Sequence, residues 1–478
     1  MITFEIRVIA TFLAAFFAAM FVLPNLSLFA EKIGLVDVPN ERKVHTVPRP
    51  LVGGIGIVIA AAFSSLVFVP SLGLDGYFSG MILLLLVGFM DDLQDLGHRK
   101  KFMAQIVATT LLIYLSKIHL SDFGNLLGSG EIIVPDIGWL IWGVTVFCVV
   151  GVTNAVNMID GLDGLAGSIS FISFLTFAVL SSLTGNSTLM LLNLALAGAL
   201  LGFLRYNWTP AVLFMGDGGS LCLGFSLSFM ALALTQVEVT LVQPVIVLLV
   251  LAVPVSDTLI VMVRRIRNGK SPFKPDNTHL HHILLRNGFE GKKPVKIMLF
   301  FCVIFCGFSI LGVIFRVPEP LLFILFAVYF VLNWFADFFS GKLMQAMNHF
   351  QREEKLTNSP AALHSPFHGE KRYNVDIQIR YNNYLSKLSL PGKIITISKA
   401  GFRAQIDELG VVCRNCVVTI SFPGVRDLQP VEMPVEHLWM SSQHNDPCHG
   451  FKFLGLEKAQ QYALTSYIDS LEVMGRGQ

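Results

Sequence analysis

Charged residues are scarce in this chain. Only 14% of its 478 residues are charged, whereas 53% are hydrophobic. An average soluble domain carries about 25% charged residues. This composition excludes an ordinary soluble protein and indicates a polytopic membrane protein. The net charge of +2 gives no reason to expect a nucleic-acid partner.

The sequence also lacks a disulfide framework and a convincing cleavable signal peptide. Glu5 lies beside Arg7, and the only candidate cleavage site, after Ala30, has Leu28 at its −3 position. Residues 6–29 are therefore expected to remain as a first transmembrane helix. Four of the seven cysteines lie in apolar runs, where small core residues are the better interpretation. These four are Cys148, Cys222, Cys302 and Cys306.

Long apolar runs are abundant. A helix needs about 20 apolar residues to cross a bilayer, and hydropathy predicts about eleven such runs. They cover approximately residues 6–29, 52–70, 77–92, 102–120, 137–156, 165–183, 188–205, 219–236, 239–262, 297–315 and 319–340.

The distribution of basic residues predicts the orientation in the membrane. If the N-terminus lies outside, the segments outside hold only Arg7, Lys117 and Arg316. The inside loops then exceed them in Lys and Arg by about five to one, as the positive-inside rule requires. An odd number of spans places the C-terminus in the cytoplasm as well. The inside loops are 30–51, 93–101, 156–165, 205–218 and 263–296.

The character of the chain changes near residue 342, which divides it into three predicted parts. Residues 1–342 form the membrane domain. Residues 343–367 are polar and interrupted by Pro360 and Pro366, which is typical of a linker. Residues 368–478 show short alternating strands and a closing helix, which indicates a β-rich domain of about 110 residues.

Acidic residues lie at the ends of the apolar runs, all on the predicted cytoplasmic side. Asp91 and Asp92 end the third run, Asp160 and Asp163 end the fifth, and Asp217 precedes the eighth. A carboxylate inside a transmembrane helix costs about 2.5–3.5 kcal/mol, and several acids in one region repel one another unless cations neutralise them. The pattern predicts a polar cleft that holds a hard cation such as Mg²⁺ through oxygen ligands.

The stretch NAVNMIDGLDGLAG at 154–167 combines amides, carboxylates and glycines. Asn154, Asn157, Asp160 and Asp163 follow at intervals of three, which places neighbours on one ridge of a helix. The glycines among them expose backbone N–H groups that suit an anion. Carboxylates with free N–H groups match a magnesium–nucleotide diphosphate; the alternative is a helix cap followed by a turn.

Two further groups complete the polar set. His279, His281 and His282 (PDNTHLHH) follow a basic segment, which favours contact with an anion over metal binding. Lys43 lies in the first inside loop. For Asp257, within the ninth run, helix packing is as good an interpretation as a functional role.

These motifs together resemble the polyprenyl-phosphate N-acetylhexosamine-1-phosphate transferases, integral membrane enzymes that initiate bacterial cell-surface glycans. The HLHH form resembles the branch that uses UDP-N-acetylhexosamines. The resemblance covers most of residues 1–340. The matching stretches, in family order, are DVPNERKVHTVPRPLVGG (37–54), DDLQD (91–95), NAVNMIDGLDGLAG (154–167), NWTPAVLFMGDGGS (207–220) and SPFKPDNTHLHHILLRNGF (271–289).

The resemblance implies the reaction and its setting. Undecaprenyl phosphate attacks a UDP-sugar, UMP leaves, and a lipid diphosphate sugar remains, for an O-antigen, exopolysaccharide or related glycan. The enzyme lies in the bacterial inner membrane with its active site in the cytoplasm, uses Mg²⁺ (or Mn²⁺), and is compatible with a homodimer.

The resemblance also assigns residues to roles. Asp91 or Asp92 orients or deprotonates the lipid phosphate, and Asp217 holds the metal with Asn157 as partner. The residues assigned to the nucleotide, phosphate and sugar are Lys43, Asn154, Asp160, Asp163, Asn207, His279, His281 and His282.

The C-terminal part resembles a PilZ domain, a six-stranded β-barrel that commonly binds cyclic di-GMP. The resemblance implies cyclic di-GMP contacts at Arg372, Ser398 and Gly401. The sequence departs from the family pattern at His368, where an arginine is usual, and at Thr396, where Asp or Asn is usual. A neutral histidine lacks the charged planar group with which arginine grips a phosphate, so a barrel that docks onto a protein partner or onto the enzyme itself is the alternative.

Two other protein classes use acids in membranes. A secondary transporter would place them near the bilayer midplane in two similar halves, but here they cluster at one face. A membrane prenyltransferase would account for DDLQD but gives no role to GDGGS or HLHH. Release of UMP distinguishes the transferase from both.

Overall fold

The computed structural model describes residues 3–37, 48–70, 73–237, 240–271, 278–336, 339, 342, 372–383, 388–406, 415–423, 430–441 and 448–473. The chain divides into two compact units, Met1–His349 and Phe350–Gln478. Lys43, His368 and the predicted linker 343–367 lie outside the described residues.

The first unit is built from helices. In chain order they are α1 (Phe4–Ile33), α2 (Gly53–Phe68), α3 (Asp75–Gln94), α4 (His98–Ser116), α5 (Gly138–Ile159), α6 (Leu165–Leu183), α7 (Ser187–Asn207), α8 (Gly216–Thr235), α9 (Pro244–Val250), α10 (Ala252–Arg267), α11 (Leu280–Arg286), α12 (Lys293–Ile314) and α13 (Glu319–Trp334).

The described part of the chain is a multi-pass membrane protein. Seven of its helices are long and apolar enough to cross a membrane: α1, α3, α5, α6, α7, α8 and α12. Helices α9 and α10 pass the same test only as a pair, and α2 and α13 are apolar but shorter. Each predicted span falls on a helix or on the α9–α10 pair, but the count of eleven is not confirmed. Helix α4 is not among the helices long and apolar enough to cross a membrane, because its first turn contains Arg99, Lys100 and Lys101.

The ninth predicted span is broken into two helices. Helices α9 and α10 meet near Leu251 and are bent by 82°. Pro254 explains the break, because it has no N–H to donate and its ring clashes with the carbonyl of the residue four positions earlier, Val250. The bend places the start of α10 beside the segment that carries the predicted histidine cluster.

Helix α8 lies at the centre of this unit, and almost all of its residues are buried. Its first turn carries two glycines that contact other helices backbone to backbone. A Cβ on Gly54 of α2 would lie 2.1 Å from Gly219 Cα, and a Cβ on Gly88 of α3 would lie 2.2 Å from Gly218 Cα. Only glycine permits such approaches, so these contacts fix the position of the residues around Asp217.

A short two-stranded sheet lies beside the same turn. Strands β1 (Val36–Asp37) and β2 (Arg49–Pro50) pair antiparallel and bring together the two ends of segment 38–47. Phe214 N donates to Pro50 O at 2.9 Å, and Gly53 N donates to Phe214 O at 2.9 Å. The end of β2 and the start of α2 are therefore hydrogen-bonded to the segment that leads into Asp217.

The second unit is a closed barrel of six strands in the order β3-β4-β5-β8-β7-β6, with antiparallel pairing throughout. The barrel predicted for this part of the chain is confirmed. Its core includes Ile394, Val418 and Phe451, and α14 packs Leu464 and Ile468 against it. The elements are β3 (Tyr373–Asn383), β4 (Leu388–Ile397), β5 (Gly401–Gln405), β6 (Asn415–Ile420), β7 (Val431–Ser441), β8 (Cys448–Phe453) and α14 (Lys458–Val473).

Candidate active site

An ion-pair cluster joins the end of α3, the start of α4 and the start of α8. Lys101 Nζ donates to Asp91 Oδ2 at 2.9 Å and to Asp217 Oδ2 at 2.6 Å. Asp91 is buried, and its other oxygen accepts from Leu96 N at 2.9 Å. One ammonium group therefore bridges two carboxylates that are 126 residues apart in the sequence.

Asp92 lies beside this cluster and accepts hydrogen bonds from the first turn of α8. Its Oδ1 accepts from Asp217 N at 2.8 Å, and its Oδ2 lies 3.4 Å from Gly218 N. A carboxylate at the N-terminus of a helix satisfies free N–H groups and complements the helix dipole. The structure thus gives Asp92 a capping role that positions Asp217, and the catalytic role assigned to Asp92 stays a prediction.

The two predicted metal ligands are neighbours. Asn157 Nδ2 on α5 donates to Asp217 Oδ1 at 3.2 Å and to Ser220 Oγ at 2.7 Å. Asn154, one turn earlier, pairs instead with buried Gln105 of α4. The two side-chain amides form two hydrogen bonds: Asn154 donates at 2.6 Å, and Gln105 donates at 3.4 Å. Asn154 and Asn157 therefore lie on α5 with different partners, whereas Asp160 and Asp163, predicted on the same ridge, lie beyond the end of the helix.

Helix α5 ends at Ile159, and Asp160 lies in the turn that follows. Burial, with smaller contributions from the negative charges of Asp217, Asp92 and Asp163, raises the pKa of Asp160 to about 7. Among the described residues, the Asp160 side chain has no hydrogen-bond partner. The cluster thus holds more negative charge than Lys101 alone neutralises.

Asp163 and Asn207 connect the loop after α5 to the segment after α7. Asp163 Oδ2 accepts from Ala211 N at 2.9 Å. Buried Asn207 accepts from Gly164 N at 2.9 Å and donates to Leu213 O at 3.0 Å. The Asn207 side chain braces these two loops through both of its polar atoms, and its contact with a nucleotide stays a prediction.

The predicted histidine cluster packs against the loop that follows α5. His281 is buried, and a Cβ on Gly161 would lie 2.5 Å from its Nε2. Neither ring nitrogen has a hydrogen-bond partner in the described part of the chain. Burial lowers the pKa of His281 to about 3, with a smaller contribution from the adjacent His282. His281 is therefore neutral at pH 7.

His279 makes a buried pair with Asp257. His279 Nδ1 lies 2.8 Å from Asp257 Oδ2, and Asp257 Oδ1 accepts from Leu280 N at 2.7 Å. Asp257 therefore holds the histidine segment, and a functional role for it stays a prediction.

Sequence reasoning did not assign Lys101, Gln105 or Ser220 to the site. Lys101 was counted only among the basic residues that predict the orientation in the membrane. Nothing in its local sequence indicates that it pairs with Asp217, 116 positions later. Ser220 lies in the GDGGS motif, which was a usable signal.

Two of the three residues assigned to cyclic di-GMP, Ser398 and Gly401, lie at the turn between β4 and β5, and Arg372 directly precedes β3, whose Tyr373 is paired with Ile397 of β4. Buried Ser398 Oγ donates to Gly401 O at 3.2 Å and accepts from Ala400 N at 3.3 Å. A Cβ on Gly401 would lie 2.1 Å from Phe451 O. Ser398 and Gly401 therefore have structural reasons to be in this turn, and a role in ligand binding stays a prediction.

The residues at the acidic cluster fit the Mg²⁺ that the resemblance implies. Among the described residues, no three His, Cys, Asp or Glu side chains form a preformed metal site. Mg²⁺ is usually held by one or two carboxylates together with substrate phosphates and water, and rarely by an all-protein cage. Asp217 with the amide of Asn157 matches that donor set, and the surplus negative charge around Asp160 favours a cation.

The sequence of the chain is similar to those of known proteins. The sequence model of Glycosyl transferase family 4 matches residues 74–235. A probable undecaprenyl-phosphate N-acetylglucosaminyl 1-phosphate transferase of Bacillus subtilis is 33% identical over 309 residues, which are 63% of this chain and 83% of that protein. The undecaprenyl-phosphate alpha-N-acetylglucosaminyl 1-phosphate transferase of Pasteurella multocida is 32% identical over 356 residues, which are 73% of this chain and 98% of that protein.

Two solved structures are similar to part of the chain. The Bacillus subtilis inhibitor of motility is 10% identical, with a TM-score of 0.21 over 23% of this chain and 54% of that one. The PilZ domain of YcgR from Escherichia coli, solved with cyclic di-GMP, is 13% identical, with a TM-score of 0.20 over 23% of this chain and 95% of that one.

Acidic residues up to 126 positions apart in the sequence lie together in the fold. Two relatives more than 30% identical are matched over 83% and 98% of their lengths. The chain therefore belongs to the polyprenyl-phosphate N-acetylhexosamine-1-phosphate transferases of glycosyl transferase family 4.

Proposed function

We propose that the chain transfers N-acetylglucosamine 1-phosphate from UDP-N-acetylglucosamine to undecaprenyl phosphate and releases UMP. The observation that carries the proposal is the bridge from Asp91 through Lys101 to Asp217, with Asp92, Asn157 and Asp160 beside it. The names of the relatives support the choice of sugar.

The reaction is a phosphoryl transfer. An oxygen of the lipid phosphate attacks the phosphorus that carries the sugar. The bond from that phosphorus to the bridging oxygen breaks, and UMP leaves with the bonding electrons. Such reactions depend mainly on positioning and on neutralising charge. The lipid phosphate is largely ionised at pH 7, because the second pKa of a phosphate monoester is about 6. The protein therefore has little need of a base.

Lys101 and Asp91 position the nucleophile in this proposal. The Lys101 ammonium group lies between two carboxylates, within reach of both, and a third anion that approaches it gains a charge-assisted hydrogen bond. Asp91 holds Lys101 through a second ion pair, separate from the one with Asp217. Asp91 therefore acts on the lipid phosphate through Lys101 more than by removing a proton.

Asp217 and Asn157 would hold Mg²⁺. When bound, the ion neutralises the charge of the diphosphate and of the departing UMP. Asp92 fixes Asp217 for this role by capping α8. The loop after α5, with Asp160 and Asp163, supplies the nucleotide contacts, and Lys43 with the three histidines supplies contacts to phosphate or sugar.

Purified full-length protein in lipid nanodiscs, given undecaprenyl phosphate and a panel of UDP-sugars, tests the proposal. We expect UMP release that requires both substrates and is fastest with UDP-N-acetylglucosamine. Release with another UDP-sugar would change the substrate but keep the reaction. If neither UMP nor lipid-linked sugar forms from any member of the panel, the proposal is wrong, and a transporter or a prenyltransferase becomes the better interpretation.

In the cell, the product of this reaction would initiate a surface glycan such as an O-antigen or an exopolysaccharide. The proposal places the site and the barrel on the cytoplasmic side, as the basic loops predict. Cyclic di-GMP binding at Arg372, Ser398 and Gly401 remains part of the proposal. Titration calorimetry with cyclic di-GMP tests that part, with Arg372→Ala as the comparison.

A further inference from the structure

Asp257 occupies an unusual place for a carboxylate. It lies on α10, one turn after the 82° bend, and only 3% of its surface is exposed. Both of its oxygens are used within the segment that starts at His279: Oδ2 meets the imidazole of His279, and Oδ1 accepts from Leu280 N. His279 is also buried, with 5% of its surface exposed. The contact is therefore a fixed interior pair.

The pair determines which nitrogen of His279 carries a proton. An ionised carboxylate only accepts hydrogen bonds, so Nδ1 of His279 is the protonated nitrogen and Nε2 is left for other contacts. The second oxygen of Asp257 holds the backbone at Leu280, so that the ring and its chain segment are fixed together. This is how a third group orients a histidine in catalytic sites.

The segment held by Asp257 reaches the acidic cluster. The rings of His279 and His281 stack with centroids 5.8 Å apart. His281 in turn packs against Gly161, next to Asp160. The Asp257–His279 pair is therefore connected through two stacked rings to the loop after α5.

We propose that Asp257 is a positioning residue for the transfer reaction. It fixes His279 in the tautomer with a proton on Nδ1, directs Nε2 to the sugar-diphosphate substrate, and keeps the 279–282 segment packed on the loop after α5. This inference rests on the proposed function for its substrate, although the tautomer of His279 does not depend on it.

The variant Asp257→Asn tests the inference with little change in shape. Its amide oxygen can still accept from Leu280 N, but its NH₂ group then faces Nδ1 of His279 and favours the opposite tautomer. We expect kcat/KM for the UDP-sugar to fall roughly 10- to 100-fold, less than the roughly 10²- to 10⁴-fold of losing a general acid or base, because His279 itself remains. The KM for undecaprenyl phosphate should stay within about twofold, because its proposed site is at Lys101.

Thr258→Val is the matched control. Thr258 lies next to Asp257 on α10, and its hydroxyl is buried without a hydrogen-bond partner among the described residues. The substitution keeps the shape of the side chain and leaves the pair with His279 intact. We expect wild-type kinetics from this variant.

Solid-state NMR of ¹⁵N-histidine-labelled protein in proteoliposomes gives a readout that a merely structural role would not move. The His279 signals are those lost in His279→Gln. We expect the Nδ1–H tautomer in the wild type and the Nε2–H tautomer in Asp257→Asn. The same tautomer in both proteins, or equal losses in Asp257→Asn and Thr258→Val, would overturn the inference. If the wild type releases no UMP, the proposed function fails, but the NMR comparison still decides the role of Asp257 in setting the tautomer.

Discussion

At the scale of single residues, the site is a balance of charge around Asp217. The Asp217 carboxylate accepts from Lys101 and Asn157, and the backbone N–H of Asp217 donates to Asp92. The types of the acidic residues and their place at helix ends could be predicted from sequence, because a carboxylate in an apolar run is costly without a function. The pairings could not be predicted, because each joins residues that only the packing of the helices brings together.

Lys101 is expected to compete with a divalent cation for Asp217. Its Nζ lies 2.6 Å from Asp217 Oδ2, so a metal ion that binds there must displace the ammonium group. Lys101→Met should therefore bind Mn²⁺ more tightly than the wild type, by roughly tenfold or about 1.4 kcal/mol, while UMP release falls. Electron paramagnetic resonance of free Mn²⁺ measures the affinity. Lys393→Met, in an exposed pair of the barrel, is the control; unchanged or weaker Mn²⁺ binding in Lys101→Met would contradict this prediction.

Asp160 should make the stability of the protein depend on pH. Its pKa of about 7 is above the usual value of 3.8, so folding favours its protonated form. Its contribution to stability is complete below about pH 4 and is lost as the pH rises through 7. Asp160→Asn should therefore unfold at a higher temperature than the wild type at pH 8 with EDTA present. The difference in unfolding temperature should disappear at pH 4. A difference that instead grows toward low pH would show that folding does not favour the protonated form of Asp160.

At the scale of elements, the two glycines that contact the first turn of α8 decide where Asp217 lies. Gly54 and Gly88 allow α2 and α3 to approach Gly219 and Gly218 at the backbone. Gly54 lies in a motif that was recognisable in the sequence, and Gly88 lies three residues before another, DDLQD. Their contact was not recognisable, because a glycine that permits close approach looks the same in sequence as one that permits a turn.

Gly88→Ala should displace α8 and lower activity. Its Cβ would lie 2.2 Å from backbone atoms, which cannot move without shifting the turn that carries Asp217. Overpacking of this kind costs about 1–3 kcal/mol or more. Gly143→Ala on α5, where a Cβ meets nothing within 4 Å, should keep its melting temperature and activity. Thermal unfolding and UMP release are measured for both variants. The same melting temperature and the same activity in Gly88→Ala and Gly143→Ala would contradict the proposed packing.

The broken helix shows the limit of hydropathy. Residues 239–262 were predicted as one span, and Pro254 was the available signal for a break. Pro24, however, lies inside α1 without interrupting it, so a proline in an apolar run does not by itself predict a bend. Hydropathy alone therefore does not distinguish the broken span from the continuous one.

At the scale of the whole molecule, the described site residues all lie in the first unit, Met1–His349. The second unit has a core of its own. A chain that ends at His349 should therefore keep UMP release within about threefold of the full-length protein, since no described site contact is removed. A larger loss of activity in a folded truncated protein would show that the barrel contributes to catalysis.

The central claim is that the acids gathered around Asp217 hold a magnesium–diphosphate for attack by a lipid phosphate. Asp217→Asn tests it most directly, because the variant keeps the shape of the side chain and removes its charge. We expect no detectable UMP release from this variant at any Mg²⁺ concentration, while Asp376→Asn in the barrel behaves as wild type. Turnover near the wild-type rate in correctly folded Asp217→Asn would contradict the account.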